Sequence, residues 1–381
     1  MLSKFHEPHI PSPCFVIEQA SILRNLETLQ KLKDKTGIKI LLAQKAFSNW
    51  FLYPLIAQYL DGAAASSLNE ARLAKEEMGL EVHTYSPAFK EDQIEDILEY
   101  SNHVVFNSLT QLERFRNTVA SHLGTHHFFL RVNPGYSAVE NDLYNPVLPG
   151  TRFGISRGDL NQIPKGITGF HFHALCENNS YDLEKTLHSF EKLFGDLLSD
   201  ITYLNIGGGH FITHPDYNIR HLIQLLNDFS NRYPHLELIM EPGSAIALNS
   251  GFLKTSVQDI VSSEGINTAV IDASITAHMP DCLEMPYQPQ IHEGEISKDG
   301  PFLYQIGGNS CLSGDYLPPY SFQKPLKVGD TIHFLDQIHY TLVKTSFFNG
   351  VDHPSIGVLK KDGSFELVKE FKYKEFKNKL G

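Results

Sequence analysis

Hydrophobic positions along this chain follow two different rhythms. From residue 38 to residue 243, short and nearly continuous apolar runs alternate with longer amphipathic ones. The short runs are "IKILLAQ" from Ile38, "GAAASS" from Gly62, "EVHTYS" from Glu81, "HVVFNS" from His103, "HFFLRVN" from His127, "GITGFHFHA" from Gly166, "YLNIGGG" from Tyr203 and "LELIMEPG" from Leu236. Each reads as a strand covered on both faces. Helical period recurs from Ala20 to Lys33 and in "SLNEARLAKEEM" from Ser67, "FKEDQIEDILEY" from Phe89, "LEKTLHSFEKLFGDLL" from Leu183 and "HLIQLLNDFSNRY" from His221. This alternation predicts an α/β fold, a (β/α)8 TIM barrel over residues 20–250. Beyond Gly243 the texture changes. "FLKTSVQDIV", "NTAVIDAS", "DTIHFLDQIHYTLV" and "SIGVLKKDGSFELV" alternate or are β-branched, and predict a second, all-β domain made of residues 1–19 and 251–381. One connection, Gly135 to Gly154, is rich in Asn, Pro and Gly and has no helical period, as functional loops often do.

The barrel prediction gives the polar residues a common place. Lys45, Ser66, Arg131, His173, Gly207, Gly208, Gly209 and Glu241 all fall at C-terminal strand ends, which in a closed barrel meet at the mouth where such barrels do their chemistry. By itself, a lysine ending so apolar a strand either snorkels to solvent or points inward. His171, on the strand face of His173, reads as a core histidine. The favoured phosphate site of such barrels follows the seventh and eighth strands, where "GGGH" and "EPGSA" lie. A phosphate there and a desolvated Lys45 opposite are what pyridoxal phosphate needs, with Lys45 as the Schiff-base lysine. Glu241 would keep the pyridine nitrogen protonated, and His173 would stack on the ring.

Composition narrows the partners. The 381 residues carry a formal charge of −12, which disfavours nucleic acid and anionic membrane and suits a cationic substrate. Cys14, Cys176, Cys282 and Cys311 have no CxxC spacing, so neither a disulfide framework nor a structural metal site is expected. The opening "MLSKFHEPHIPSPCF" has no apolar signal core, and no run of apolar residues is long enough to span a bilayer, which suggests a cytoplasmic enzyme.

The ordered strings "AQKAF", "SSLNEARLA", "RVNPG", "TRFGI", "GFHFHALCEN", "LNIGGG", "EPGSA", "GNSCLSGDYL" and "FFNG" resemble the alanine racemase-like, fold-type III pyridoxal phosphate decarboxylases over nearly the whole chain. "HALCEN", "AHMPDCLEMPY", "GNSCLSGDYL" and "QIHYTLVKTSFFNG" look most like the carboxynorspermidine and carboxyspermidine decarboxylase branch. The resemblance implies that Lys45 carries the cofactor, His173 stacks on it, Gly207 to Gly209 hold its phosphate, and Glu241 pairs with its nitrogen. It places Arg131 among the cofactor-binding residues and makes Tyr340 a phosphate contact. Cys311 matches the catalytic thiol and Asp315 the substrate-binding acid, usually supplied across a homodimer interface. Asp281 and Glu284, three residues apart, are candidates for the distal amines of a carboxylated polyamine, whose loss of carbon dioxide would release norspermidine or spermidine. Ser244 stands where diaminopimelate and ornithine decarboxylases carry arginine, and Cys176 where they carry serine, so phosphate contacts differ there and those substrates are disfavoured. The alternatives are another decarboxylase of this fold, acting on diaminopimelate, ornithine or arginine, and a noncatalytic pyridoxal phosphate carrier.

Overall fold

After a first strand, β1 (Cys14–Glu18), and a helix (Gln19–Thr36), the apolar runs form β2 (Lys39–Ala43), β3 (Gly62–Ala65), β4 (Glu81–Tyr85), β5 (His103–Phe106), β6 (His127–Arg131), β7 (Ile167–His171), β8 (Tyr203–Asn205) and β9 (Glu237–Met240). In this computed structural model, which describes residues 9–381, these eight pair in parallel and in sequence order. The barrel closes where Lys39 and Ile40 of β2 meet Ile239 and Met240 of β9. Leu41, Val105, Phe129 and Ile239 fill its interior, so the barrel is a packed core and not a pore. Helices cover the outside. In the helix Ser180–Phe194 the positions Leu183, Leu187, Phe190 and Phe194 are buried, each burial contributing roughly 1.5–3 kcal/mol. Its start is fixed by a capping box, Asn179 accepting from the Asp182 amide while Asp182 reaches back to the Asn179 amide.

The strand-rich part is a nine-stranded sheet. It consists of β1 with β10 (Gly251–Ser263), β11 (Ile266–Ile271), β12 (Gly294–Ile296), β13 (Phe302–Gly307), β14 (Tyr316–Phe322), β15 (Thr331–Leu335), β16 (Ser355–Leu359) and β17 (Phe365–Lys369). The long β10 is its hub, pairing with β1, β11 and β15. The chain divides into residues 25–246 and a second unit joining the residues up to 24 with 247–381. Residues 1–8, which the sequence assigns to the β domain, lie outside the described residues.

Two segments depart from the sequence pattern. "DTIHFLDQIHYTLV" does not stay extended: β15 stops at Leu335, Asp336 takes a left-handed φ of 59°, and Tyr340–Val343 form a helical turn. Asp336 and Gln337 break the alternation: Asp336 accepts from the sequence-distant Asn249 amide, and Gln337 donates to the nearby Leu335 carbonyl. The C-terminal "YKEFKNKL" is a helix, Tyr373–Leu380, that the alternation upstream hides. Among the described residues no helix is long and apolar enough to cross a membrane.

Candidate active site

Lys45 lies two residues past β2, in a turn anchored from behind. Gln44 is buried, donating to the Glu70 carbonyl (2.9 Å) and accepting from the Tyr53 hydroxyl (3.0 Å). The backbone therefore leaves Lys45 facing the mouth. Its Nζ lies 3.4 Å from His173 Nε2. The tautomer of His173 follows from its other nitrogen: the Gly208 N–H donates to Nδ1 at 2.9 Å, so the ring proton sits on Nε2. Burial and the neighbouring Lys45 and Arg131 charges hold His173 well below the usual imidazole pKa, so it is neutral. An N–H aimed at Lys45 favours an amine with a free lone pair. Enclosure by the barrel wall and then Arg131 push the Lys45 pKa down, against opposing pulls from Glu241, Cys176 and Glu70. Lys45 thus remains open to solvent through the mouth while its ammonium form is disfavoured.

Glu241, just past β9, shows the opposite balance. Burial pushes its carboxyl up, but His171 and Asn205 bring it down to about 2. Asn205 Nδ2 donates to Glu241 Oε1 at 2.6 Å, and His171 Nε2 lies 3.5 Å from Oε2. His171 is therefore more than the core histidine the sequence suggests. It is fully inside, against the Tyr85 ring, where burial lowers its pKa and the neighbouring Glu241 opposes that shift.

Between these two groups runs the glycine turn. Gly207 and Gly209 have φ of 69° and 85°, and a Cβ on them would meet the Phe172 carbonyl oxygen at 2.3 Å and the Leu175 carbonyl oxygen at 1.9 Å, so only glycine fits. The Gly207 amide is taken by Asn205 Oδ1 and the Gly208 amide by His173, so within the triplet these two amides serve to orient the site's side chains. Arg131, ending β6, is buried between the Tyr85 and Phe153 rings at 4.5 and 4.4 Å and donates to the His173 carbonyl at 3.3 Å. The long connection from Gly135 is tied back by Asn107, which accepts from the Gly154 amide and the Tyr85 hydroxyl and donates to the Arg152 carbonyl. Ser66, just past β3, gives its amide to Glu70 Oε2 at 2.6 Å.

The remaining candidates belong to the strand-rich unit. Cys311 is exposed, in a loop closed by Asp315. Asp315 is buried, and its two carboxylate oxygens accept from the Thr276 amide (2.9 Å) and the Ser310 amide (3.1 Å). Its first task is thus to shape the loop. Asp281 and Glu284 do share a helical face, as their spacing predicts, and the cation between them is one of this chain's own: Lys344 Nζ donates to both, at 2.5 and 2.6 Å. That same ammonium lies 5.9 Å from the ring of Tyr340. Sequence reasoning overlooks Lys344 and Asn205. An asparagine closing a barrel strand just before a glycine run is a usable signal for the second; nothing local marks the first.

This arrangement suits a pyridoxal group. A lysine disposed to be a neutral amine, a largely enclosed carboxylate that stays ionised, and a glycine turn too tight for side chains, with its Gly207 and Gly208 amides engaged and Gly209 beyond them, suit its aldehyde, ring nitrogen and phosphate in turn. Comparison with known proteins agrees. Carboxyaminopropylagmatine decarboxylase from Synechocystis is 46% identical over 98% of this chain and 96% of its own. Carboxynorspermidine/carboxyspermidine decarboxylase from Campylobacter jejuni is 40% identical over 96% of this chain and 98% of its own. The crystal structure of carboxynorspermidine decarboxylase from Campylobacter jejuni, complexed with norspermidine, superposes with a TM-score of 0.89 at 37% identity, covering 97% of this chain and all of that one. Residues 19–248 match the pyridoxal binding domain of the pyridoxal-dependent decarboxylases. With its lysine, histidine and carboxylate gathered at the mouth of that domain, the chain belongs to the pyridoxal-dependent decarboxylase family.

Proposed function

We propose that this chain removes the α-carboxylate of carboxynorspermidine or carboxyspermidine, releasing norspermidine or spermidine in polyamine biosynthesis. The observation that carries the decarboxylase chemistry is the Lys45–His173 pair, 3.4 Å apart, together with an ionised, part-buried Glu241. The substrate class rests on near full-length similarity to relatives named for carboxylated polyamines. A second reading, carboxyaminopropylagmatine, is favoured by the 46% identical relative.

Lys45 would hold the cofactor through Nζ, His173 would lie along its ring, Glu241 would face the ring nitrogen, and the Gly207–Gly209 turn would take the phosphate at its Gly209 end, the Gly207 and Gly208 amides being engaged by Asn205 and His173. When bound, pyridoxal phosphate supplies an electron sink for the pair left on the α-carbon as carbon dioxide departs. The protein's own work is positional and electrostatic. Glu241, kept ionised by Asn205 and His171, holds a proton on the ring nitrogen. His173, fixed by the Gly208 amide, keeps its N–H toward Lys45. Arg131 secures the His173 backbone. Cys311 delivers a proton to the α-carbon, acting in a homodimer in which each chain's Cys311 loop serves the other chain's barrel. Asp281, Glu284 and Lys344 together keep one net negative charge, and we assign to it the attraction of a distal ammonium.

The test is direct. Purified enzyme is incubated with carboxynorspermidine, carboxyspermidine, carboxyaminopropylagmatine, diaminopimelate and ornithine, and each amine product is identified. The highest kcat/KM is expected for one of the first two. Preference for carboxyaminopropylagmatine would select the second reading, and preference for diaminopimelate or ornithine would overturn both. For the assembly, mixed Lys45→Ala and Cys311→Ala variants should recover about a quarter of wild-type activity when subunits exchange randomly. No recovery after verified exchange would mean that each chain completes its own site.

A further inference from the structure

The motif "FFNG" enters none of the roles above, yet it touches the Cys311 loop. The Cys311 amide donates to Asn349 Oδ1 at 2.9 Å, a bond spanning 38 positions of sequence. Asn349 and Gly350 are consecutive left-handed residues, with φ of 56° and 68°. This pair of backbone angles turns the chain so that the Asn349 amide oxygen meets the Cys311 N–H. From behind, the turn is gripped by the C-terminal helix: Phe376 reaches so close that a Cβ on Gly350 would lie 3.2 Å from its ring, and it packs on Phe347 with ring centroids 6.3 Å apart. The loop itself closes on Asp315, which accepts from the Gly308 amide through its carbonyl and from Ser310 through its side chain. That closure leaves the Cys311 N–H directed out of the loop, toward Asn349.

We propose that Asn349 is the positioning residue for Cys311, holding the thiol-bearing backbone in place through this one bond from a turn braced by Phe376. The proposal rests on the reading of Cys311 as the proton donor. Chemistry explains the residue type. The position needs a left-handed φ and an acceptor oxygen at once; glycine offers the first alone, alanine neither, aspartate and asparagine both.

That logic sets the experiment, a series of Asn349→Asp, Asn349→Gly and Asn349→Ala in the holoenzyme. Asn349→Asp should keep kcat within about threefold. Asn349→Gly, which relieves the backbone and removes the acceptor, should lower kcat about 10-fold with KM nearly unchanged, the scale of one lost hydrogen bond at a reacting group. Asn349→Ala should be at least as impaired. Hydrogen exchange should quicken in the peptide covering Gly308 to Asp315 for the Gly and Ala variants and not for Asp. In a Cys311→Ala background Asn349→Gly should cost nothing further, because it acts through the thiol. The proposal is overturned if Asn349→Gly matches wild type in both kcat and loop exchange, or if its full penalty persists without the thiol. Should Cys311→Ala alone leave kcat intact, the proton-donor reading falls. The positioning claim is then decided by loop exchange: quickened exchange in the Gly variant upholds it and unchanged exchange ends it.

Discussion

Lys39 and Lys45 bracket the same five-residue strand, β2, one at the N-terminal mouth of the barrel and the other at the C-terminal mouth. Lys39 sits between two carboxylates, Glu237 at 2.6 Å and Glu81 at 3.1 Å. Partial burial would lower its pKa, but those bonds raise it, so it stays a cation. Around it Glu81 also takes the Nε2 atoms of His83 (3.0 Å) and His103 (2.6 Å), whose rings stack 3.8 Å apart. The C-terminal mouth uses the same residue types, Lys, His and Glu, with the pairing rearranged. Glu241 faces Asn205 and His171, and Lys45 is left with a neutral imidazole. A lysine matched by acids is a fixed charge and a structural tie. One whose nearest carboxylate is engaged elsewhere can become an amine and a nucleophile.

The sharpest way to break this comparison is to remove each lysine. Lys45→Ala should lower kcat/KM by about 10³-fold or more, the scale on which loss of a covalent group is felt. Borohydride reduction of the wild-type holoenzyme should place the pyridoxyl label on Lys45. Lys39→Met should leave that label and kcat within about threefold of wild type while lowering Tm; a label on any other lysine would reverse the assignment of the two ends. Next come the acids. Glu241→Gln should cost about 10²- to 10³-fold in kcat, as other losses of a preorganised charge do. Glu81→Gln should keep kcat and destabilise the fold by about 1–3 kcal/mol, since it strips partners from Lys39, His83 and His103. Equal kinetic losses from both would show that the two clusters are not functionally distinct.

Smaller effects sharpen the distinction. Asn205→Ala should lower kcat about 10-fold and move the acidic limb of kcat/KM to higher pH, because Glu241 loses a donor that favours its charged form. An unmoved limb would remove Glu241 from that titration. The smallest effect expected is on acid stability. Burial lowers His103 to about 4, while in the unfolded chain an imidazole takes its proton below about 6.5. Over that interval the unfolded state binds more protons, so stability falls as pH falls from about 6.5 toward 4. Glu81, held far below the carboxylate range by the two histidines despite its burial, adds a loss of the same sign at lower pH. Tm measured against pH should flatten across the upper interval in His103→Gln; an unchanged slope would place the titration elsewhere.

Much of this was legible in the sequence, for reasons tied to particular residues. All eight barrel strands announce themselves as apolar runs because each is buried on both faces. Strand ends are local features, so Lys45, Arg131, His173 and Glu241 can be assigned to one mouth from residue order alone. "DTIHFLDQIHYTLV" fails the same test. Its strand, Thr331–Leu335, is only the first part of the segment, and the turn at Asp336 depends on bonds to residues such as Asn249, 87 positions away. The spacing of Asp281 and Glu284 correctly puts them on one face of a helix, yet spacing cannot reveal that Lys344, 60 positions beyond Glu284, lies between them.

By itself, then, the sequence determined which side chains arrive at the barrel mouth, because periodicity and burial act within a few residues. Their chemical states were decided only by the tertiary structure. The His173 tautomer depends on the Gly208 amide 35 positions away, the ionisation of Glu241 on Asn205 36 positions before it, and the bias of Lys45 toward a free amine on a histidine 128 positions distant. A pKa and a proton's location are set by charge and hydrogen-bond partners within a few ångströms, and which groups come that close is fixed when the barrel closes.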